Sequence, residues 1–131
     1  MITILVDHNI EGQATLLLRA LESQGWVDLG LLQVATFRDL SLPIDSSDRE
    51  IWRFVQEHGM LLLTGNRNMT DEDSLQQTLR DENRPESIPV ITIANVNRVR
   101  ERNYREECAN RLAEICSDVE IYLGTGRLFI P

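Results

Sequence analysis

Apolar residues along this chain alternate between short unbroken runs and stretches spaced for one face of a helix. The first run, Ile2-Thr3-Ile4-Leu5-Val6, stops at Asp7, with Asn9 two residues further on. A run of this length reads as a buried strand. Residues 11–24 then place Ala14, Leu17, Leu18 and Leu21 at helical spacing, and Gly25 ends the pattern. Residues 29–37 read as a second strand, followed by a loop over 38–46 around Pro43. Ser47 and Glu50 have capping-box spacing, which opens a helix through Ile51, Trp52, Phe54 and Val55 to His58, with Gly59 as its stop. Residues 60–64 form a short apolar third strand, and 65–68 turn the chain. Thr70-Asp71-Glu72-Asp73 repeats the capping-box pattern and predicts a helix to about residue 81. Residues 82–89 hold Pro85 and Pro89 and read as a loop, 88–94 as a fourth strand. The longest helix is expected over 100–123, with Tyr104, Cys108, Leu112, Ile115, Val119 and Tyr122 on one face, and 128–131 as a last edge strand.

Strands alternating with helices predict an α/β fold: a mainly parallel sheet of four to five strands with helices on both faces and right-handed crossovers. The whole chain, residues 1–131, reads as one domain, without repeats or linkers. In such a sheet the strand C-termini share one edge, and ligands bind there. Asp7 and Asn9 follow the first strand, Thr64, Asn66 and Asn68 follow or end the third, and Asn95 and Asn97 follow the fourth. Asp48, Asp71 and Asp73 stand at helix starts that face the same edge in this arrangement. Clustered oxygen donors suit a hard cation, Mg²⁺ or Mn²⁺. A carboxylate cup of this kind activates water and offsets charge in phosphodiester hydrolysis.

Each piece also has a plainer role. Asp48, Asp71 and Asp73 complement the helix dipole without any chemistry, and Asn66 and Asn68 beside Gly65 are ordinary turn residues. Asp7 fits the plain account least, because a carboxylate directly after a buried strand needs a partner. His8 reads as a loop or packing residue and His58 as a complement to a helix C-terminus.

Charge changes this picture only a little. The formal charge is −8 and every basic residue is Arg. That argues against affinity built on blanket phosphate neutralisation, yet a carboxylate-built metal site is itself a source of negative charge. The one basic stretch holds Arg98, Arg100, Arg102 and Arg105, interleaved with Glu101, Glu106 and Glu107, and reads either as a phosphate-holding patch or as a salt-bridged helix face. Cys108 and Cys116, eight apart on one helix, lie roughly 12 Å from each other, too far for a bridge; both read as small core residues. No apolar run is long enough to span a bilayer and no signal-peptide pattern opens the chain, so a cytoplasmic location is expected. Neither GxxxxGK[ST], GxSxG nor HExxH occurs.

The order of these pieces resembles small bacterial PIN-like proteins, a family often found beside toxin–antitoxin genes. The residues that carry the resemblance are the opening strand into Asp7-His8-Asn9, the Asp48-led helix, and the third strand running into Thr64-Gly65-Asn66-Arg67-Asn68. It covers roughly residues 1–70 and extends to the strand at 88–94, and it implies a three-layer α/β/α PIN-like fold with metal-dependent endoribonuclease chemistry. On that resemblance Asp7 and Asp48 are acidic metal-site positions with Asn9 beside them, and Asp71 and Asp73 lie close enough in sequence to complete the set. The catalytic candidates are thus Asp7, Asp48, Asp71 and Asp73, with Asp7, Asp48 and Asp73 as ligands of Mg²⁺ or Mn²⁺. Asn9, Asn66, Arg67 and Asn68 are the substrate-binding candidates. RNA is the expected substrate, and an antitoxin or other protein partner, or a second copy of the chain in a homodimer, the expected associate; no membrane is involved. One departure matters: Asn66 and Asn68 stand where the family carries Asp, which removes up to two negative charges and weakens cation binding. The second reading is therefore a PIN-like protein without catalysis, serving as a binding or regulatory module. A third is a small-molecule phosphohydrolase using the same edge.

Overall fold

A computed structural model of the chain describes residues 1–65 and 74–131. Among the described residues five strands form one wholly parallel sheet: β1 (Ile2–Val6), β2 (Leu32–Ala35), β3 (Leu61–Thr64), β4 (Val90–Ile93) and β5 (Arg127–Ile130). Their spatial order is β2-β1-β3-β4-β5, so the direction of strand addition reverses at the gap between β1 and β3. Helices α1 (Glu11–Ser23), α2 (Asp48–His58), α3 (Leu75–Glu82) and α4 (Arg102–Ser117) join successive strands. The chain is thus an α/β protein with helices on both faces of the sheet, as its hydrophobic pattern predicts.

Strand alternation assigns the faces. Ile4 and Val6 of β1, Leu61 and Leu63 of β3, and Ile91 and Ile93 of β4 point to the side covered by α1 and α4. Leu5, Leu62 and Val90 point the other way, to Ile51, Trp52 and Val55 of α2 and Leu75 and Leu79 of α3. Because β3 and β4 are covered on both faces, all their residues are buried and their sequences show no polar alternation. Both caps of α2 match expectation. The Ser47 side chain accepts from the Glu50 N–H in a reciprocal capping box, and Gly59 takes a left-handed φ of 66° at the C-terminus.

The expectation of right-handed crossovers meets an exception. From β1 the chain steps to one side through α1; from β2, β3 and β4 it steps to the other side through α2, α3 and α4. The first three connections share a hand, since α1 lies on one face and α2 and α3 on the opposite one. Helix α4 steps in the same direction as α3 but lies on the α1 face, so its crossover has the opposite hand. Burial of its Cys108, Leu112 and Ile115 side in the core that α1 also lines outweighs the twist preference that makes such connections rare.

Element ends shift in ways that have local causes. The second strand is Leu32–Ala35 rather than 29–37, because Gly30 turns at φ 68° and the 37–41 segment folds into turns. The last helix is Arg102–Ser117 rather than 100–123: Asp118 leaves helical geometry at φ −137°, ψ 46°, and residues Val119–Tyr122 form a 3₁₀ turn. Val119 and Tyr122 nonetheless pack against the same core, so their spacing reported burial, not helix. Helix α3 is capped by Ser74, whose side chain accepts from the Gln77 N–H, while the Thr70–Asp73 pattern lies outside the described residues. Among the described residues no helix is long and apolar enough to cross a membrane.

Candidate metal centre

The topological reversal between β1 and β3 puts two polar strand ends side by side. Val6 pairs with Leu63, so the next residues, Asp7 and Thr64, are neighbours. The Thr64 hydroxyl donates to Asp7 Oδ2 at 2.7 Å, and the Asn9 N–H donates to Asp7 Oδ1 at 3.2 Å. Asp7 is tied down further by its own N–H, which donates to the Leu63 carbonyl. The partner that a carboxylate in this position requires is therefore Thr64, itself 1% exposed. Asp7 also caps the 3₁₀ turn His8–Ile10, which leads directly into α1.

Asp48 reaches the same place from the α2 side. It is the first residue of α2, and its Oδ2 accepts the Leu75 N–H, the first of α3, at 3.0 Å. One carboxylate thus complements the start of its own helix and satisfies an otherwise open donor of the next. Asp7, Asn9, Ser46, Asp48 and Thr64 line a cleft of about 80 Å³, with Phe37, Ile44, Ile51, Leu62 and Leu75 as its apolar wall. Sequence reasoning misses Ser46 and Phe37, because Ser46 falls in the 38–46 loop and Phe37 ends the predicted strand, and neither carries a local signal for the cleft. The Thr64–Asp7 bond was accessible in principle, from the pairing of an apolar strand ending in Thr with one ending before Asp.

The structure therefore brings together Asp7, Asn9, Asp48 and Thr64. Asp71 and Asp73, Asn66, Arg67 and Asn68 all lie outside the described residues. Among the described residues no group of three or more His, Cys, Asp or Glu side chains is placed to hold a metal ion. The polar side chains that do converge are two carboxylates, two hydroxyls and the Asn9 amide, each able to offer an oxygen to a cation. Asp7 can accept roughly four hydrogen bonds or ligand contacts through its two oxygens, and two are taken. This set fits a hard cation that keeps much of its water, as Mg²⁺ does with one or two carboxylates.

The remaining candidates settle into structural roles. His8 sits 3.5 Å from Glu11 and tilts against Phe37, and His58 stacks on Phe54 while its Nδ1 lies 2.9 Å from the Phe54 carbonyl at the end of α2. Burial pushes the thiols of Cys108 and Cys116 up to about 11 and about 12, which keeps them protonated and unreactive at neutral pH. In the arginine stretch, Arg98 pairs with Glu101 and lies over the Tyr104 ring, Arg102 pairs with Glu106, and Arg105 donates to the Val99 and Arg100 carbonyls. A hollow of about 570 Å³ opens at the opposite edge of the sheet from the Asp7–Asp48 cleft, among Met1, Leu29, Cys116, Asp118 and Ile121. No family model matches the chain, and no curated protein or solved structure matches it.

Proposed function

We propose that this chain is a cytoplasmic, PIN-like endoribonuclease that depends on Mg²⁺ or Mn²⁺ and works at the Asp7–Asp48 cleft. The observation that supports it is the meeting of these two carboxylates in one cleft at the reversal point of a parallel sheet. When bound there, the cation supplies Lewis-acid activation of water and neutralises charge on the phosphate. The chain's own residues do the rest. Thr64 and the Asn9 N–H hold the Asp7 carboxylate in one orientation, leaving lone pairs on both oxygens for a ligand or a water proton. Asp48 is held at the α2 start by the Leu75 N–H. The buried Phe37 and Leu62 beside these groups lower the local dielectric and so strengthen their electrostatic effect. Asp71 or Asp73 completes the acidic set in this reading, and Asn66 or Arg67 orients the phosphate.

A catalytically silent PIN-like binding protein is the second reading, favoured by the uncharged Asn66 and Asn68. Calorimetric Mn²⁺ titration of the wild type and Asp7→Asn, with single-stranded RNA cleavage in the same buffer, decides between them. Binding and cleavage that vanish together in Asp7→Asn support the nuclease. A wild type that neither binds Mn²⁺ nor cleaves leaves the binding module, whose associate is then a protein.

A further inference from the structure

The connection after β4 forms a second lining of the same sheet edge. Residues Val96–Arg100 make a 3₁₀ turn that faces the first turn of α1, and a groove of about 780 Å³ opens between them. It is lined by Gly12, Gln13, Leu16, Val96, Asn97 and Arg100. Its chemistry differs from that of the carboxylate cleft: one guanidinium, two side-chain amides, an apolar floor from Leu16 and Val96, and no carboxylate. Glu11, the nearest acid in sequence on α1, lines a different hollow with Ala14, Thr15 and Val34 and contacts His8. Gly12 has nothing within 4 Å of where a Cβ would stand, so its backbone is open to close approach.

Arg100 stands out within the arginine stretch. Arg98 and Arg102 are matched by glutamates, and Arg105 is spent on the carbonyls of the 3₁₀ turn. The Arg100 guanidinium makes no hydrogen bond or ion pair among the described residues, in a protein with a formal charge of −8. An unmatched arginine in so acidic a chain, exposed beside two amides, is suited to an anion that arrives from outside.

The groove and the cleft are close. Strands β1, β3 and β4 are consecutive in the sheet, so the ends of β1 and β4 lie about 10 Å apart at two strand spacings. Between them passes Gly65, where a Cβ would come within 2.6 Å of Val96 Cγ1 and 3.3 Å of Ile10 Cγ2. The chain leaving β3 therefore runs without a side chain between the turn that follows Asp7 and the turn that leads to Arg100.

We propose that this groove binds the RNA strand beside the scissile position, with Arg100 on a backbone phosphate, Gln13 and Asn97 on phosphate or ribose oxygens, and Leu16 and Val96 under a sugar or base. The proposal rests on the ribonuclease reading of the Asp7–Asp48 cleft, and extends it to residues outside that cleft. Arg100 contacts substrate without touching the reacting atoms.

The test measures binding of a fluorescein-labelled single-stranded RNA of mixed sequence by anisotropy in EDTA, across a salt series, alongside Mn²⁺-dependent cleavage. The variants are Arg100→Gln and Gln13→Ala, with Arg84→Gln as a charge-matched control at an exposed position outside the groove. Arg100→Gln is expected to weaken binding about tenfold and to reduce the slope of log K against log salt by about one. Arg84→Gln is expected to leave both unchanged. Binding that depends on Arg100 in a protein that cleaves nothing upholds the groove and removes the nuclease reading. Cleavage with a Kd indifferent to Arg100→Gln and Gln13→Ala overturns the groove and keeps that reading. A wild type with no affinity for the RNA overturns the groove proposal, and a loss equal in Arg84→Gln does the same by reducing the effect to net charge.

Discussion

Among the described residues, the side of the sheet under α1 and α4 buries twenty-one residues in one continuous cluster, whereas the side under α2 and α3 buries nine. The thin side is also the one crossed by polar links. Ser47 caps α2, Asp48 bonds the start of α3, and Arg49 and Arg53 reach Asp81 and Glu82 at its far end. The Asp7–Asp48 cleft opens on this thin side, its wall made of the same Phe37, Ile51, Leu62 and Leu75 that form the small core. The contrast suggests a division of labour. Apolar packing supplies most of the stability on one face, and directional bonds position helix ends around a polar cleft on the other, where burying more hydrocarbon would close it.

Breaking the large layer has the greatest expected effect. Leu112→Ala, at 1% exposure in α4, is expected to cost about 3–4 kcal/mol, while Leu79→Ala at the margin of the small layer costs about 2 kcal/mol, both read from urea midpoints. Equal losses would erase the contrast. Next comes Thr64→Val, which keeps the buried shape but removes the donor to Asp7; a loss of about 2 kcal/mol is expected, together with weaker Mn²⁺ binding in calorimetry. Stability lost without any change in Mn²⁺ affinity would confine Thr64 to the fold. Ser47→Ala removes one half of the capping box and is expected to cost about 1 kcal/mol in the same urea assay, more than an exposed substitution on α4 such as Asn110→Ala.

The smallest effect concerns pH. Arg49 holds the exposed Asp81 carboxyl below its usual value, and Arg53, then Arg49, does the same for Glu82. A carboxylate with a lowered folded pKa stabilises the fold above its unfolded value, about 4, and loses that contribution as pH falls through the folded one. The gap in urea midpoint between wild type and Arg49→Gln should therefore be open at pH 7 and narrow below about pH 4. A gap that stays constant across that range would mean that Arg49 acts through packing alone.

The sequence displayed the elements whose signals are local. The Ser47–Glu50 box and Gly59 framed α2 correctly because caps are made by residues a few positions apart. The apolar runs placed β3 and β4 most closely, since strands buried on both faces carry uninterrupted hydrophobic sequence, while the edge strands β2 and β5 include exposed Gln33 and Phe129. What the sequence did not disclose depends on distant partners. Nothing local says that α4 returns to the α1 face, nor that Leu75 supplies a backbone donor to Asp48 across 27 residues. Val119 and Tyr122 kept helical spacing beyond the helix because the same core selects apolar residues from a 3₁₀ turn. At the site, Asp7 and Asp48 were legible from position alone, but the hydroxyl that orients Asp7 depends on the register of β1 against β3.

The pairing of α1 with α4 also bears on how the chain is made. The layer formed by α2 and α3 draws its helices from residues 48–82, so it can close as soon as that stretch and its strands exist. The opposite layer needs residues 102–117 to cover a surface presented by residues 2–23. In a chain growing from its N-terminus, this side of the sheet is therefore covered by α1 alone until residues 102–117 are made. Between the completion of β4 and the arrival of α4, the apolar side of β3 and β4 is a surface that must be kept from other chains.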